Sequence, residues 1–249
     1  MLTKQNIKYI QSLQHKKFRD ELGVFVAEGP KVVEELLLSA KFNCEAIFSM
    51  AKWIEGLSSS LLDKISGKLQ IVEAFELEKI ANYSTPNSVV AVFKKSNPAE
   101  VIELKGNITL VLDGIQDPGN LGTIIRNADW FGIKNIICST TTVDMYNSKV
   151  VQSTMASLSR LNIIYTDLYS WLRDHRDVKI LATVLDGSPL EQTKHLHEAI
   201  VIIGNEANGI HSELVSLAEH KITIPRIGMA ESLNAGVATG VVLYELCRK

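Results

Sequence analysis

The chain has 249 residues, of which 46% are hydrophobic and 22% charged, with a formal net charge of −2. Those proportions exclude a mainly disordered chain and a small disulfide-stapled scaffold, since a chain of this length buries a sizeable core without cross-links. The near-neutral balance argues against bulk, non-specific nucleic-acid binding. Three cysteines, Cys44, Cys138 and Cys247, stand far apart with no CxxC pair, which favours a thiol-reducing, cytoplasmic setting. The start, MLTKQNIKYIQSLQHKKF, has no signal-peptide core, and no apolar run approaches the roughly 18 residues of a membrane span.

Residues 1–19 hold Lys4, Lys8, Lys16, Lys17 and Arg19 and no acid. They read either as a solvated helix or as a phosphate-contacting arm. Lys4–Leu13 is a predicted helix and Val24–Ala27 a predicted strand. Glu28-Gly29-Pro30 is a turn, and Pro30 suits the first position of the helix Lys31–Ser39. That helix places Val32, Val33, Leu36 and Leu37 on one face. Ala46–Ser49, Leu69–Val72 and Val89–Phe93 are further strand candidates. Lys94–Gly106, KKSNPAEVIELKG, is charged and punctuated by Pro98 and Gly106, which sets domains at 1–97 and 106–249.

The second block has a stronger pattern. Ile108–Leu112, Ile136–Cys138, Ile163–Tyr165, Ile180–Val184, Ile200–Ile203 and Ile222–Ile224 are short apolar, β-branched runs. Helical stretches fall between them at Leu121–Phe131, Lys149–Leu158, Tyr169–Arg173, Ser212–His220 and Leu233–Cys247. Strands apolar throughout and alternating with helices predict an α/β fold with a parallel sheet covered on both faces. Ligands bind outside the carboxyl ends of such strands, so the following loops are where chemistry is sought.

Three loops stand out. Asp113–Arg126, DGIQDPGNLGTIIR, carries Gly119 and Gly122, and its helix carries Arg126 and Asp129 at a spacing that allows pairing. A dinucleotide turn fails here, because the glycines are G-x-x-G and G-x-G-x-x-G is absent. Gly204–Ile210, GNEANGI, puts Glu206 between glycines, where a plain helix-capping role is also open. Pro225–Asn234, PRIGMAESLN, precedes a helix that Glu231 or Ser232 could cap. That helix opens with Ala235, Gly236, Ala238, Thr239 and Gly240, small residues that permit close approach.

In this order and spacing, Asn-x-Gly-x-x-x-Arg at 120–126, Gly-x-Glu-x-x-Gly at 204–209 and Ile-Pro with Ser-Leu-Asn at 224–234 resemble the SpoU (TrmH-like) family of RNA ribose 2′-O-methyltransferases. VVQSTMASLSRLNI at 150–163 is similar to the family's segment between its first two motifs. LGVFVAEGPKVVEELL at 22–37 resembles the small α/β RNA-binding domain that precedes the methyltransferase domain in many members. The resemblance implies a SPOUT-type parallel sheet with a trefoil knot, which periodicity does not show, since chains are unknotted by default. It also implies a homodimer with the active site at the subunit interface, S-adenosylmethionine as cofactor, and RNA as substrate; the separate N-terminal RNA-binding block favours rRNA over tRNA.

Methyl transfer to a ribose hydroxyl is an in-line displacement that needs a positioned oxygen and positive charge near the developing alkoxide. The resemblance implies Arg126 for that role, with Asn120 beside it, Glu206 orienting Arg126 or Asn120, and Ser232 and Asn234 adding short polar contacts. It implies Thr183, Gly204, Ile224 and Leu233 around the cofactor. Arg is too basic for general-base work, so orientation and charge stabilisation are the physically easier tasks. The sequence departs from the family where Ala235-Gly236 follow Ser-Leu-Asn and where Arg226 stands in place of a common Met.

The alternative function is a non-catalytic RNA-binding or ribosome-assembly factor on the same fold. His195, His197, His211 and His220 read as surface histidines, since no spacing supplies three or four converging metal ligands. Trp53, Trp130 and Trp171 read as core residues before base-stacking ones, and Cys247 as inert.

Overall fold

A computed structural model describes residues 1–82, 87–97, 101–193 and 196–248. The backbone divides into two compact units, Met1–Asn97 with Tyr146–Ser159, and Pro98–Met145 with Arg160–Lys249. Pro98 and His195 lie outside the described residues.

The first unit runs α1 (Lys4–Ser12), α2 (Lys16–Leu22), β1 (Val24–Glu28), α3 (Pro30–Leu38), β2 (Cys44–Ser49), α4 (Ala51–Glu55), α5 (Ser59–Ile65), β3 (Leu69–Ile71), α6 (Ala74–Leu77) and β4 (Val89–Lys94). Its sheet has the order β1-β4-β2-β3, with β4 antiparallel to both neighbours and β3 parallel to β2. Pro30 opens α3 after Gly29, as its fixed φ favours. Val32, Val33, Leu36 and Leu37 are buried on the inner face of α3.

Arg19 is buried, and its Nη1 donates to the carbonyls of Leu13 (2.9 Å) and Gln14 (2.8 Å). It therefore staples the α1–α2 turn and is withdrawn from any phosphate-contacting arm. Lys16 is paired with Asp20 at 2.7 Å on the exposed face.

The second unit runs β5 (Ile108–Leu112), α7 (Pro118–Trp130) and β6 (Asn135–Ser139) before the chain crosses to the first unit as α8 (Ser148–Ser153). It resumes with β7 (Asn162–Thr166), α9 (Leu168–Asp174), β8 (Ile180–Pro189), β9 (Ala199–Ile203), α10 (Ser212–Val215), β10 (His220–Thr223) and α11 (Ala235–Cys247). All neighbouring strands are parallel, in the order β10-β8-β9-β5-β6-β7. Residues Leu110–Leu112, Ile136–Cys138 and Ile200–Ile202 are almost wholly inaccessible, as the continuous apolar runs predict.

Three helical expectations change. Lys149–Leu158 is interrupted, because Met155 and Ala156 adopt positive φ (48° and 69°), and only a 3-10 turn follows at Ser157–Ser159. The segment turns there to pack on the first unit, with the Tyr146 ring 4.8 Å from Phe25 and Lys41 Nζ donating to the Leu158 carbonyl at 3.0 Å. Ser212–His220 ends at Val215, since His220 is recruited into the β10–β8 ladder. Leu233–Cys247 begins at Ala235, with Asn234 as its cap.

The thiols give a direct check on this core. Burial raises Cys44 to about 11 and drives Cys138, in β6, still higher. A disulfide-exchange reagent at neutral pH is expected to titrate at most the half-buried Cys247 in the native protein, and all three thiols in denaturant. Native reaction of two or more thiols would contradict the strand placement.

Candidate active site

In the sheet, β5 lies between β6 and β9. The chain leaves β5 toward β6 and returns through β9 on the other side, so their loops diverge at the carboxyl ends and open a crevice. Into it come the loops after β5 and β9. At the first, Asp117 caps α7 by accepting from the Asn120 amide N–H at 2.8 Å, and Pro118 fills the first helical turn. Asn120 is thereby fixed in that turn.

The loop after β9 doubles back at once. Asn205 N–H donates to the Gly209 carbonyl (3.0 Å), and Gly209 N–H donates to that of Asn205 (2.9 Å). Asn205 Oδ1 accepts from the amides of Ala207 (2.8 Å) and Asn208 (3.2 Å), and its Nδ2 donates to the Gly114 carbonyl (2.7 Å). This turn carries Glu206 to α7, where its carboxylate accepts from Asn120 Nδ2. The third loop closes the chain of contacts: Asn234 Nδ2 donates to Asn120 Oδ1 at 2.7 Å, while Asn234 Oδ1 caps α11 by accepting from Gly236 and Val237. Asn120 thus gives through its nitrogen and receives through its oxygen, which fixes its amide orientation.

The three motifs therefore meet in a Glu206–Asn120–Asn234 relay. Arg126 is not part of it. Six residues beyond Asn120 it points about 120° around the helix, is exposed, and makes no hydrogen bond or ion pair among the described residues. The expected orientation by Glu206 is met at Asn120 and not at Arg126. Asp129 turns away from Arg126 as well and binds Arg160, at 2.8 Å from both Nε and Nη2. Ser232 is exposed and unbonded among the described residues, and Asn234 holds the cap position expected of Ser232 or Glu231. Glu206 caps no helix among the described residues.

The expected cofactor positions line the same end of the sheet. The β8–β10 register jumps from Ala182 opposite Lys221 to Ser188 opposite Ile222, so residues 183–187 loop out. Thr183 is held there by its Oγ1 donating to the Ile202 carbonyl at 2.8 Å. Gly204 sits so close to the returning turn that a Cβ would stand 2.4 Å from the Gly209 carbonyl carbon. From Ile224 to Leu233 no backbone group bonds another backbone group among the described residues, and Ile227, Met229 and Leu185 are exposed. Open N–H and C=O groups beside apolar side chains suit a ligand whose heterocycle edge is read by backbone and whose faces need apolar walls. An adenosine group fits that donor set.

The small residues of α11 serve close helix packing. Gly236 and Gly240 lie against Thr123 and Asn127 of α7, and Asn127 Nδ2 donates to the Gly236 carbonyl at 2.8 Å. Trp53 is buried, but Trp130 at the end of α7 is 84% exposed, against the core expectation.

Comparison with known proteins decides the lineage. The profile described as the SpoU rRNA Methylase family matches residues 107–244, and the profile of an MRM3-like substrate binding domain matches residues 4–91. The chain belongs to the SpoU rRNA methylase family. A relative in Bacillus subtilis, 23S rRNA (guanosine(2553)-2′-O)-methyltransferase RlmP, is 30% identical over 245 residues, covering 97% of this chain and 96% of its own. The AdoMet-bound rRNA methyltransferase of Sinorhizobium meliloti superposes with a TM-score of 0.86 at 32% identity, covering 98% of this chain and 95% of that one. A putative TrmH-family RNA methyltransferase from Porphyromonas gingivalis gives 0.85 at 32% identity, covering 98% of each.

Sequence reasoning missed Asn205, Asp113 and His211, the side chains that shape the second SpoU loop. Their one visible signal is position: Asp113 directly follows a buried strand, Asn205 is the variable second residue of the Gly-x-Glu-x-x-Gly motif, and His211 stands two residues beyond it. No described helix is long and apolar enough to cross a membrane.

Proposed function

We propose that this SpoU chain transfers a methyl group from S-adenosylmethionine to a ribose 2′-hydroxyl in ribosomal RNA. The observation that carries the reading is the Glu206–Asn120–Asn234 relay, which joins the three family motifs at the carboxyl ends of the strands beside the exposed Arg126. A relative named for 23S rRNA methylation that matches 97% of this chain supports rRNA over tRNA.

When bound, the sulfonium cofactor would supply an electrophilic methyl with a neutral thioether as its leaving group. Gly204, Ile224, Leu233 and Thr183 would hold it at the strand ends. Arg126 binds the target nucleotide, placing its guanidinium against the 2′-oxygen and the neighbouring phosphate. The hydroxyl must shed its proton to solvent water as the new bond forms. A fixed positive charge favours that loss by stabilising the developing alkoxide. Asn120 keeps the first turn of α7 in register with the cofactor loop, and Glu206 and Asn234 hold Asn120. Ser232 lies at the open edge, where a bound nucleotide would reach it. The first unit recruits the RNA. Turnover by the Arg126→Ala protein is the test: a large loss of rate with cofactor binding retained is expected.

The same reading includes a homodimer and a knotted C-terminal segment. Val237, Val241 and Tyr244 form an exposed i, i+4, i+7 stripe on α11, and Trp130 lies on the adjoining α7 face with Thr123. An apolar stripe beside a reactive arginine suits a second copy that shares the site. At the β8–β10 crossing, a Cβ on Gly187 would stand 2.6 Å from the Ile222 carbonyl carbon, a backbone approach in keeping with threading. Val241→Glu is expected to raise the dimer dissociation constant about 100-fold, since each copy would bury an unpaired charge. Sedimentation equilibrium reads this directly; an unchanged dimer would remove this face from the interface.

A further inference from the structure

The second SpoU loop is tied at both ends to the turn after β5. At its start, Asn205 Nδ2 donates to the Gly114 carbonyl at 2.7 Å. At its end, His211 makes two contacts with one carboxylate oxygen: its backbone N–H and its ring Nδ1 each lie 2.8 Å from Asp113 Oδ2. Asp113 is 3% exposed, so its oxygen is presented by the core, while the His211 ring is 65% exposed. Gly204 and Glu206 lie between the two ties. A displaced His211 would free the return arm of the loop, and with it the Gly204–Gly209 contact that positions both.

We propose that His211 is a positioning residue whose ring, docked on Asp113, holds the Gly204–Ile210 loop in its cofactor-binding shape, and that its protonation tightens this hold. This rests on the methyltransferase reading. The groups that face the ring are Asp113, from the turn after β5, and Glu213, from the first turn of α10; both are acidic. The hydrogen bond to Asp113, its charge and then that of Glu213 hold the imidazolium above the ordinary histidine range. A raised value fixes the sign: the ionic contribution is complete below histidine's usual 6.5 and is lost as pH rises through the raised value. The neutral Nδ1–H form keeps the hydrogen bond and loses the ion pair. Asparagine at 211 can keep an amide donor near the Nδ1 position and does not titrate.

The experiment uses the full chain and two readouts. One is amide hydrogen-exchange protection across residues 205–210 without ligand. The other is calorimetric binding of S-adenosylmethionine between pH 6 and 8.5. In the native protein, protection and affinity should both fall as pH rises, affinity by about threefold. His211→Ala should lower affinity about tenfold at pH 6, with loss of loop protection and a flat pH response. His211→Asn should restore affinity to within about threefold of native and stay flat. Native-like protection and affinity in His211→Ala, or a native pH response in His211→Asn, would overturn the proposal. If the native protein binds no S-adenosylmethionine at any pH, the methyltransferase reading fails. The exchange data then still decide whether His211 holds the loop.

Discussion

Arg126→Ala is expected to lower the rate of methyl transfer about 100- to 1,000-fold while leaving S-adenosylmethionine affinity within about twofold. The size follows from removing one preorganised cation from the oxygen that becomes charged in the transition state. The split follows from geometry: Arg126 is exposed, outside the Glu206–Asn120–Asn234 relay and without a protein partner among the described residues, so its loss leaves the cofactor loops intact. Arg126→Lys keeps the charge and loses the planar fork, and should recover about tenfold of the lost rate. Single-turnover methylation with the native substrate RNA measures the rate, and calorimetry the affinity. A mutant retaining more than about a tenth of the native rate would place the reactive oxygen elsewhere.

Gly204→Ala should act on binding and folding together. The new Cβ would meet Gly209 C, Gly209 O and Ile210 N at 2.4–2.6 Å, all backbone atoms with no rotamer to yield. Overpacking of this kind costs about 1–3 kcal/mol. Relief requires the 204–210 turn to open, and that carries Glu206 off Asn120. Cofactor affinity is expected to fall about 10- to 100-fold with a lowered melting temperature. Gly228→Ala is the control, because its Cβ would meet nothing within 4 Å and the melting temperature should hold. Equal behaviour of the two variants would mean that the close approach at Gly204 does not shape the loop.

Much of the second unit is legible from sequence, for a physical reason. A strand covered on both faces is apolar at nearly every position, so Ile108–Leu112, with Thr109 its one polar residue, and Ile200–Ile203 declare themselves. Short helices such as α4 and α6 carry too few turns to show a period and are missed. The break at Met155–Ala156 has no glycine to announce it. At the site, Asn120, Glu206 and Asn234 are legible because motif spacing records them. The contacts that shape their loops are not. Asp113 and His211 are 98 residues apart, and Asp129 finds Arg160 across 31 residues in preference to Arg126 one turn away. Hydrogen bonds of that span leave no periodic trace in a single chain, and they decide which polar groups are free to meet a substrate.

The most direct test of methyl transfer to ribose is to supply the protein with methyl-labelled S-adenosylmethionine and unmodified ribosomal RNA, then hydrolyse the RNA in alkali. A methylated 2′-oxygen cannot attack its neighbouring phosphate. The label is therefore predicted in an alkali-resistant dinucleotide, and Arg126→Ala should slow its appearance about 100- to 1,000-fold. Label in a mononucleotide would mean methylation of a base, and no incorporation from a folded, cofactor-binding protein would mean no transfer; either result contradicts the account.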